Sequence, residues 1–341
     1  MDIKKREISF DIIRLFAIFF VVFSHIIAVG IFVFRTTIGN VILLDFFFHL
    51  GVPLFFMLSG ALTLKNKLSV KEFYKKKISK FIVPFIFWNI FYMYLFELGN
   101  MTNNFMFRDF SFSKLGEFLY MTFYPWYHLW FLNCLFILYF ISPFIANFVH
   151  NEKNKKYFFA FVALYIILDI FKINILNRHF YFSLSYLIYF VIGYYLSKMD
   201  FKRYKIPLFC LFGIGFVILF MVRTFFAEFY VAHNHVEFVM YYLSYARWWF
   251  IVLASLFFMI IRSFNFENLS GTNVGKAISS LANLTFGVYL VHPLFLQILR
   301  MIFKSTGIVK YGNLYIIFIT YVGSFLFTFL IKKIKYVKNI V

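Results

Sequence analysis

The chain has 341 residues, of which 63% are hydrophobic, 25% aromatic and 14% charged, and its mean hydropathy is +0.82. An ordinary soluble domain is about 45–50% apolar and about 25% charged, so this chain lacks the charged surface that a soluble protein of its length needs, while its 57 Phe and 24 Tyr exclude disorder. The net charge of +20 comes in short Lys/Arg runs between long apolar segments, the pattern of loops held against an anionic leaflet, and it predicts no nucleic-acid partner.

A spanning helix needs about 20 mostly apolar residues. Ten such segments follow in order: 8–34, 41–64, 81–99, 126–149, 157–172, 180–198, 206–226, 239–261, 284–303 and 313–331. The chain reads as all-α: one polytopic domain embedded in the lipid bilayer over residues 1–341, with about ten transmembrane helices. The first segment is expected to remain as a span, because its apolar stretch is too long for a signal peptide and no small-residue cleavage site follows. With the N-terminus in the cytoplasm, the inner segments 1–7, 65–80, 151–156, 198–205, 262–283 and 332–341 hold 3, 7, 3, 4, 2 and 4 Lys or Arg, 23 of the 34, against 8 outside. That bias predicts both termini cytoplasmic. Cys134 and Cys210 lie in apolar segments and form no disulfide framework. The abundance of Lys, Asn, Ile and Phe is compatible with an AT-rich bacterial gene, hence a multi-pass protein of the bacterial cell membrane.

Polar residues inside these segments are expensive in hydrocarbon and are functional candidates by default. In the first segment Asp11 and Arg14 are three apart and can pair. Arg14 and His25 are eleven apart, which returns to within about 20° of the same helix face after a rise of about 16 Å. The stripe places Arg14 near the cytoplasmic end and His25 near mid-membrane. The bland alternative is a snorkelling Arg and a packed His. In the second segment His49 lies in the outer half, Pro53 is expected to kink or open the helix, and Ser59-Gly60 permits close helix approach. The stretch 65–80 carries seven Lys, among them Lys75, Lys76, Lys77 and Lys80, and reads both as a topogenic loop and as a surface for a polyanion. The outer loop 100–125 is expected to fold onto the membrane surface.

The fourth segment opens with Trp126, His128 and Trp130, placed at the outer interface where an acceptor would arrive. Arg223 and Arg247 are unranked candidates, and Glu228, His233, His235 and Glu237 read as a solvated loop without metal-site spacing. The stretch NLSGTNVGKAISSLAN at 268–283 reads as a polar inner loop near a cytoplasmic ligand. His292 precedes Pro293, where a local helix break would turn the imidazole into a cavity. P-loop, dinucleotide-binding, zinc-protease and serine-hydrolase motifs are absent, and no metal is predicted.

Five pieces in order resemble the integral-membrane acyltransferase 3 family, and within it the surface-polysaccharide O-acyltransferase-like branch. They are ISFDIIRLFAIFFVVFSH at 8–25, with the family's Arg-x10-His, VPLFFMLSGALTL at 52–64, FYKKKISKFIVPFIFW at 73–88, HLWFLNCLFILYFISP at 128–143 and LTFGVYLVHP at 284–293. One departure is the third piece, where the family often has Arg and this chain has Lys, which holds phosphate as a point charge without bidentate geometry. The resemblance implies transfer of an acyl group, acetyl above all and sometimes succinyl, from cytoplasmic acyl-CoA (acetyl-CoA first) to a hydroxyl of an envelope glycan or lipid-linked sugar. It implies the essential pair Arg14 and His25: Arg14, oriented by Asp11, contacts the CoA phosphate or thioester end, and His25 is the general base on the acceptor hydroxyl or the relay of the acyl group. Ser59, Lys75, Lys76, Lys77, His128, Trp130 and His292 are the expected substrate-binding residues. Polysaccharide synthesis machinery is a possible partner. Two other classes compete: a polysaccharide or lipid-linked sugar exporter, against which stands the lack of a hydropathy repeat, and a membrane scaffold, which gives no reason for the Asp11–Arg14–His25 stripe.

Overall fold

The computed structural model describes residues 7–34, 47–65, 69–100, 128–171, 178–232, 244, 246–306, 312–335 and 337–341. The outer loop over 101–125, Trp126, His233, His235 and Glu237 lie outside the described residues, as do the side chains of Lys76, Lys80, Arg223 and Glu228. Among the described residues there is no strand, and ten helices each overlap one of the ten apolar segments: α1 (Ile8–Phe34), α2 (Gly51–Thr63), α3 (Ser79–Asn100), α4 (Trp130–His150), α5 (Lys155–Ile170), α6 (Arg178–Ser197), α7 (Lys205–Ala232), α8 (Trp248–Ser263), α9 (Asn273–Thr306) and α10 (Gly312–Lys333). Four of them, α1, α4, α7 and α9, are long and apolar enough to cross a membrane. The outer surface suits lipid: Phe144, Ile206 and Phe318 are 70%, 75% and 66% exposed. An apolar patch of that extent marks a membrane or interaction surface rather than a surface in water.

Three expectations are corrected. Pro53 neither kinks nor opens α2: it is the third residue of the helix, where a backbone N–H has no intrahelical partner to lose. The stretch 273–283 is not a loop. α9 starts at Asn273, with Thr272 as a cap whose hydroxyl accepts from the Gly275 N–H at 3.1 Å, and Gly271 makes the preceding turn at φ 83°. Of its polar residues Ser279 bonds to α1 and Asn283 lines a cavity, whereas Asn273, Lys276 and Ser280 are exposed. α9 also runs unbroken through Pro293, so His292 is presented by a helix rather than by a gap.

Helix direction alternates along the chain. Glu7, Leu64, Lys65, His150, Ser197 and Arg262 meet at one end: Glu7 binds Lys65 at 2.9 Å and Arg262 at 2.6 Å, Arg262 donates to the Ser197 carbonyl at 3.0 Å, and His150 donates to the Leu64 carbonyl at 2.8 Å. At the opposite end the buried pair Arg247–Asp169 closes at 2.7 Å, and Asp169 also accepts from the Trp248 N–H at 3.0 Å. Arg247, one of the unranked candidates, therefore has this partner and stands just before α8.

The Glu7 knot ties α1 to the ends of α2 and α8. Partial burial alone pushes the Glu7 carboxyl up from its ordinary 4.5, but hydrogen bonds from Lys65 and Arg262 and their charges outweigh it and hold it lower. A carboxyl depressed in the folded state stabilises fully above its ordinary value and loses that contribution as pH falls below 4.5. Glu7→Gln is therefore expected to melt lower than wild type at pH 7, with the gap narrowing below pH about 4.5, read by thermal unfolding in detergent.

Candidate functional site

α1 and α9 are extensive neighbours and run parallel. Two rungs join them. The Ser279 hydroxyl donates to Asp11 at 2.8 Å, an offset of 268 residues, and His292 Nε2 lies 3.2 Å from His25 Nδ1, an offset of 267. A near-constant offset along two helices is a fixed register. The first rung carries the cation: Arg14 donates to the other Asp11 oxygen at 3.2 Å, and Asp11 is only 2% exposed. Asp11 is thus a buried anchor that spends one oxygen on α9 and one on the guanidinium.

Arg14 lines a partly open cavity of about 360 Å³ with Ser59, Thr63, Lys77, Tyr139, Asn283 and Thr285, over an apolar wall that includes Phe131 and Phe286. Lys77 reaches it because of the backbone that precedes α3. Ser69 and Glu72 cap each other reciprocally, residues 70–73 make one α-turn, and a π-helical turn over Tyr74–Ile78 follows, pinned by the Tyr74 hydroxyl donating to the Phe140 carbonyl at 2.7 Å. The extra residue in that turn sorts the lysines: Lys77 faces the cavity, Lys75 is exposed.

The second rung sits in a row of imidazoles. The His25 and His292 ring centres are 5.0 Å apart, and those of His292 and His128 are 5.8 Å apart. His292 and His128 are buried, and His25 is half-buried. His128 packs edge-on against Tyr92 at 4.6 Å and is buried inside the bundle rather than facing solvent. The carbonyls fix the protons. His292 Nδ1 lies 3.2 Å from the Val288 carbonyl and His25 Nδ1 lies 2.9 Å from the Val21 carbonyl. A carbonyl only accepts, so both Nδ1 atoms carry hydrogen. Neutral His292 then offers its Nε2 lone pair to the His25 Nδ1–H, and in a neutral His25 the remaining lone pair is on Nε2.

The ten residues chosen from sequence thus divide. Arg14, Ser59 and Lys77 line the cavity, with Asp11 behind Arg14. His25, His292 and His128 form the imidazole row. Trp130 packs against Tyr186 with ring centres 5.4 Å apart and tilted by 35°, Lys75 is exposed, and the Lys76 side chain lies outside the described residues. Thr63, Tyr139, Thr285 and Tyr289 were not singled out in the sequence, and Ser279 and Asn283 only as part of the polar stretch 268–283. Tyr289 had a signal, since three residues before His292 is a neighbouring position on the helix surface. Among the described residues no group of three His, Cys, Asp or Glu is arranged to hold a metal ion.

A family model described as an acyltransferase domain matches residues 7–333. No curated protein and no solved structure matches the chain.

Proposed function

The chain belongs to the acyltransferase 3 family and is a membrane acyltransferase, and from that premise we propose that it moves an acyl group, acetyl first and succinyl second, from cytoplasmic acyl-CoA to a hydroxyl of an envelope polysaccharide or glycolipid. In this reading the ten apolar segments cross the bacterial cell membrane, both termini are cytoplasmic, and the chain is of the surface-polysaccharide branch. The Lys/Arg bias between inner and outer segments supports that orientation. The exporter alternative gains no support from membership in a family of acyltransferases.

One observation carries the reading. A single helix face holds a guanidinium in a cavity at the basic end and, about 16 Å further along, an imidazole braced by a second imidazole. Arg14 and Lys77 supply two cations for the phosphates of CoA, a polyanion. A donor whose charged head and reactive thioester are separated by a long flexible arm matches two polar stations that far apart. The chemistry at the second station follows from the proton positions. The acceptor O–H gives its proton to His25 Nε2 while its oxygen attacks the thioester carbonyl carbon. The C–S bond then breaks, the new ester leaves on the glycan, and the thiolate takes the proton from His25 Nε2 and departs as CoA, which restores the base. The imidazolium formed on His25 keeps its Nδ1–H directed at His292 Nε2 and the Val21 carbonyl, which stabilises the charge.

Mass spectrometry of envelope polysaccharides from cells with and without the chain tests the reading. A difference of one acyl group per modified sugar is expected, and identical masses overturn it. The Asp11–Arg14 pair adds a second test. Arg14→Ala is expected to raise the KM for acyl-CoA, Asp11→Ala to do so less, and the double variant to equal Arg14→Ala alone. Additive losses would show that Asp11 does not act through Arg14.

A further inference from the structure

Arg14 lines the cavity, but neither His25 nor His292 is among its lining residues. The residue between is Tyr289. Its side chain forms the cavity wall, and its ring centre lies 6.2 Å from that of His292 and 5.9 Å from that of His128. Its hydroxyl donates to the His128 backbone carbonyl at 2.5 Å, and Phe131 packs edge-on against it at 5.3 Å, so the ring is held shut across the boundary. Pro293, four residues on, has no N–H to give the Tyr289 carbonyl, and the His292 ring bonds to that carbonyl instead, so the turn of α9 under Tyr289 is held by a side chain rather than by the backbone ladder.

We propose that Tyr289 is the gate between donor cavity and imidazole row, and that it sets the specificity of the reaction for glycan over water. This rests on the acyl-transfer reading above. With the ring closed, the thioester waits in the cavity and His25 lies on the far side, so neither water nor hydroxyl is activated beside it. When the ring swings, the thioester carbonyl reaches the imidazoles. If an acceptor hydroxyl is there, the acyl–sulfur bond is exchanged for an acyl–oxygen bond to the glycan. If water is there instead, the products are the free carboxylic acid and CoA thiol, and the donor is wasted. Arg14 and Lys77 belong to donor binding and His25 and His292 to chemistry, which leaves Tyr289 as the residue that couples them.

The test uses the full chain in nanodiscs with radiolabelled acetyl-CoA, with and without envelope polysaccharide from cells lacking the protein. It reads the ratio of free acetate to glycan-bound acetyl. Tyr289→Phe keeps the ring and removes the bond to the His128 carbonyl. It is expected to raise the ratio about fivefold, the shift given by losing one ordinary hydrogen bond. Tyr289→Ala removes the ring and is expected to raise it further. A merely structural tyrosine lowers transfer and hydrolysis together and leaves the ratio fixed. An unchanged or lower ratio in Tyr289→Phe overturns the gate, and this variant decides the matter even if Tyr289→Ala fails to fold. A wild-type protein that acylates no glycan overturns the acyl-transfer reading and the gate with it, whereas wild-type transfer with an unmoved ratio overturns the gate alone.

Discussion

His25→Ala is expected to reduce glycan acylation by about 10²–10⁴-fold, the usual contribution of a general base, while expression and membrane insertion stay at wild-type levels. The half-buried position of His25 makes the substitution tolerable for packing. The loss falls on kcat, because Arg14 and Lys77, the cations proposed for the donor phosphates, line a different part of the site. His292→Phe is the companion. It fills the same space without an acceptor for the His25 Nδ1–H, so the imidazolium loses one of the two acceptors that face that proton and keeps the Val21 carbonyl. Hydrogen bonds to charged groups are worth about 1.5–3 kcal/mol, so a smaller loss, of about 10- to 100-fold, is expected. Retained acylation in His25→Ala would remove the imidazole from the chemistry. A His292→Phe variant as active as wild type would show that the second ring is only packing.

The largest expected effect on folding lies at the crossing of α2 and α6, the most extensive helix pair in the bundle. Gly60 and Gly193 meet there reciprocally. A Cβ on Gly60 would stand 1.7 Å from the Phe190 carbonyl oxygen, and one on Gly193 would stand 1.9 Å from the Met57 carbonyl oxygen. Both obstacles are backbone, so no rotamer change relieves them and the helices must separate. Gly60→Val and Gly193→Val are each expected to cost more than the ~1–3 kcal/mol of ordinary overpacking and to yield little folded protein by size-exclusion chromatography in detergent. Gly213, on lipid-facing α7, has open space where a Cβ would stand, with nothing within 4 Å, so Gly213→Ala is expected to raise the melting temperature slightly. Equal melting of all three variants would mean that the α2–α6 approach is not close.

Ser59-Gly60 was legible as a site of close approach, but its partner was not. Small residues mark a helix as able to approach another, and nothing in one helix says that the other will be α6 or that Gly193 will answer. The same holds for the polar stretch after Asn268. Read alone it is loop-like, because a polar helix has no reason to form in isolation. It is helical here because Asp11 accepts from Ser279 and the cavity takes Asn283 and Thr285. The basic stretch 65–80 announced a polyanion surface by composition, yet which lysine faces inward depended on a π-helical turn, whose single extra residue changes the phase of everything after it.

What the sequence determined by itself is whatever depends on hydrophobicity and on the geometry of one helix. That covers a helical character suited to lipid among the described residues, the places of α1 to α10 within a few residues at most ends, and the stripe that joins Asp11, Arg14 and His25. Helical period is local, so residues three or eleven apart on one helix declare their shared face without a fold. Only the tertiary structure decided that His25 meets His292, that Asp11 meets Ser279, and that Tyr289 stands between cavity and imidazoles. The first two contacts join residues more than 260 positions apart. They are set by the register of two packed helices, and a shift of one residue in that register rotates every side chain by about 100°.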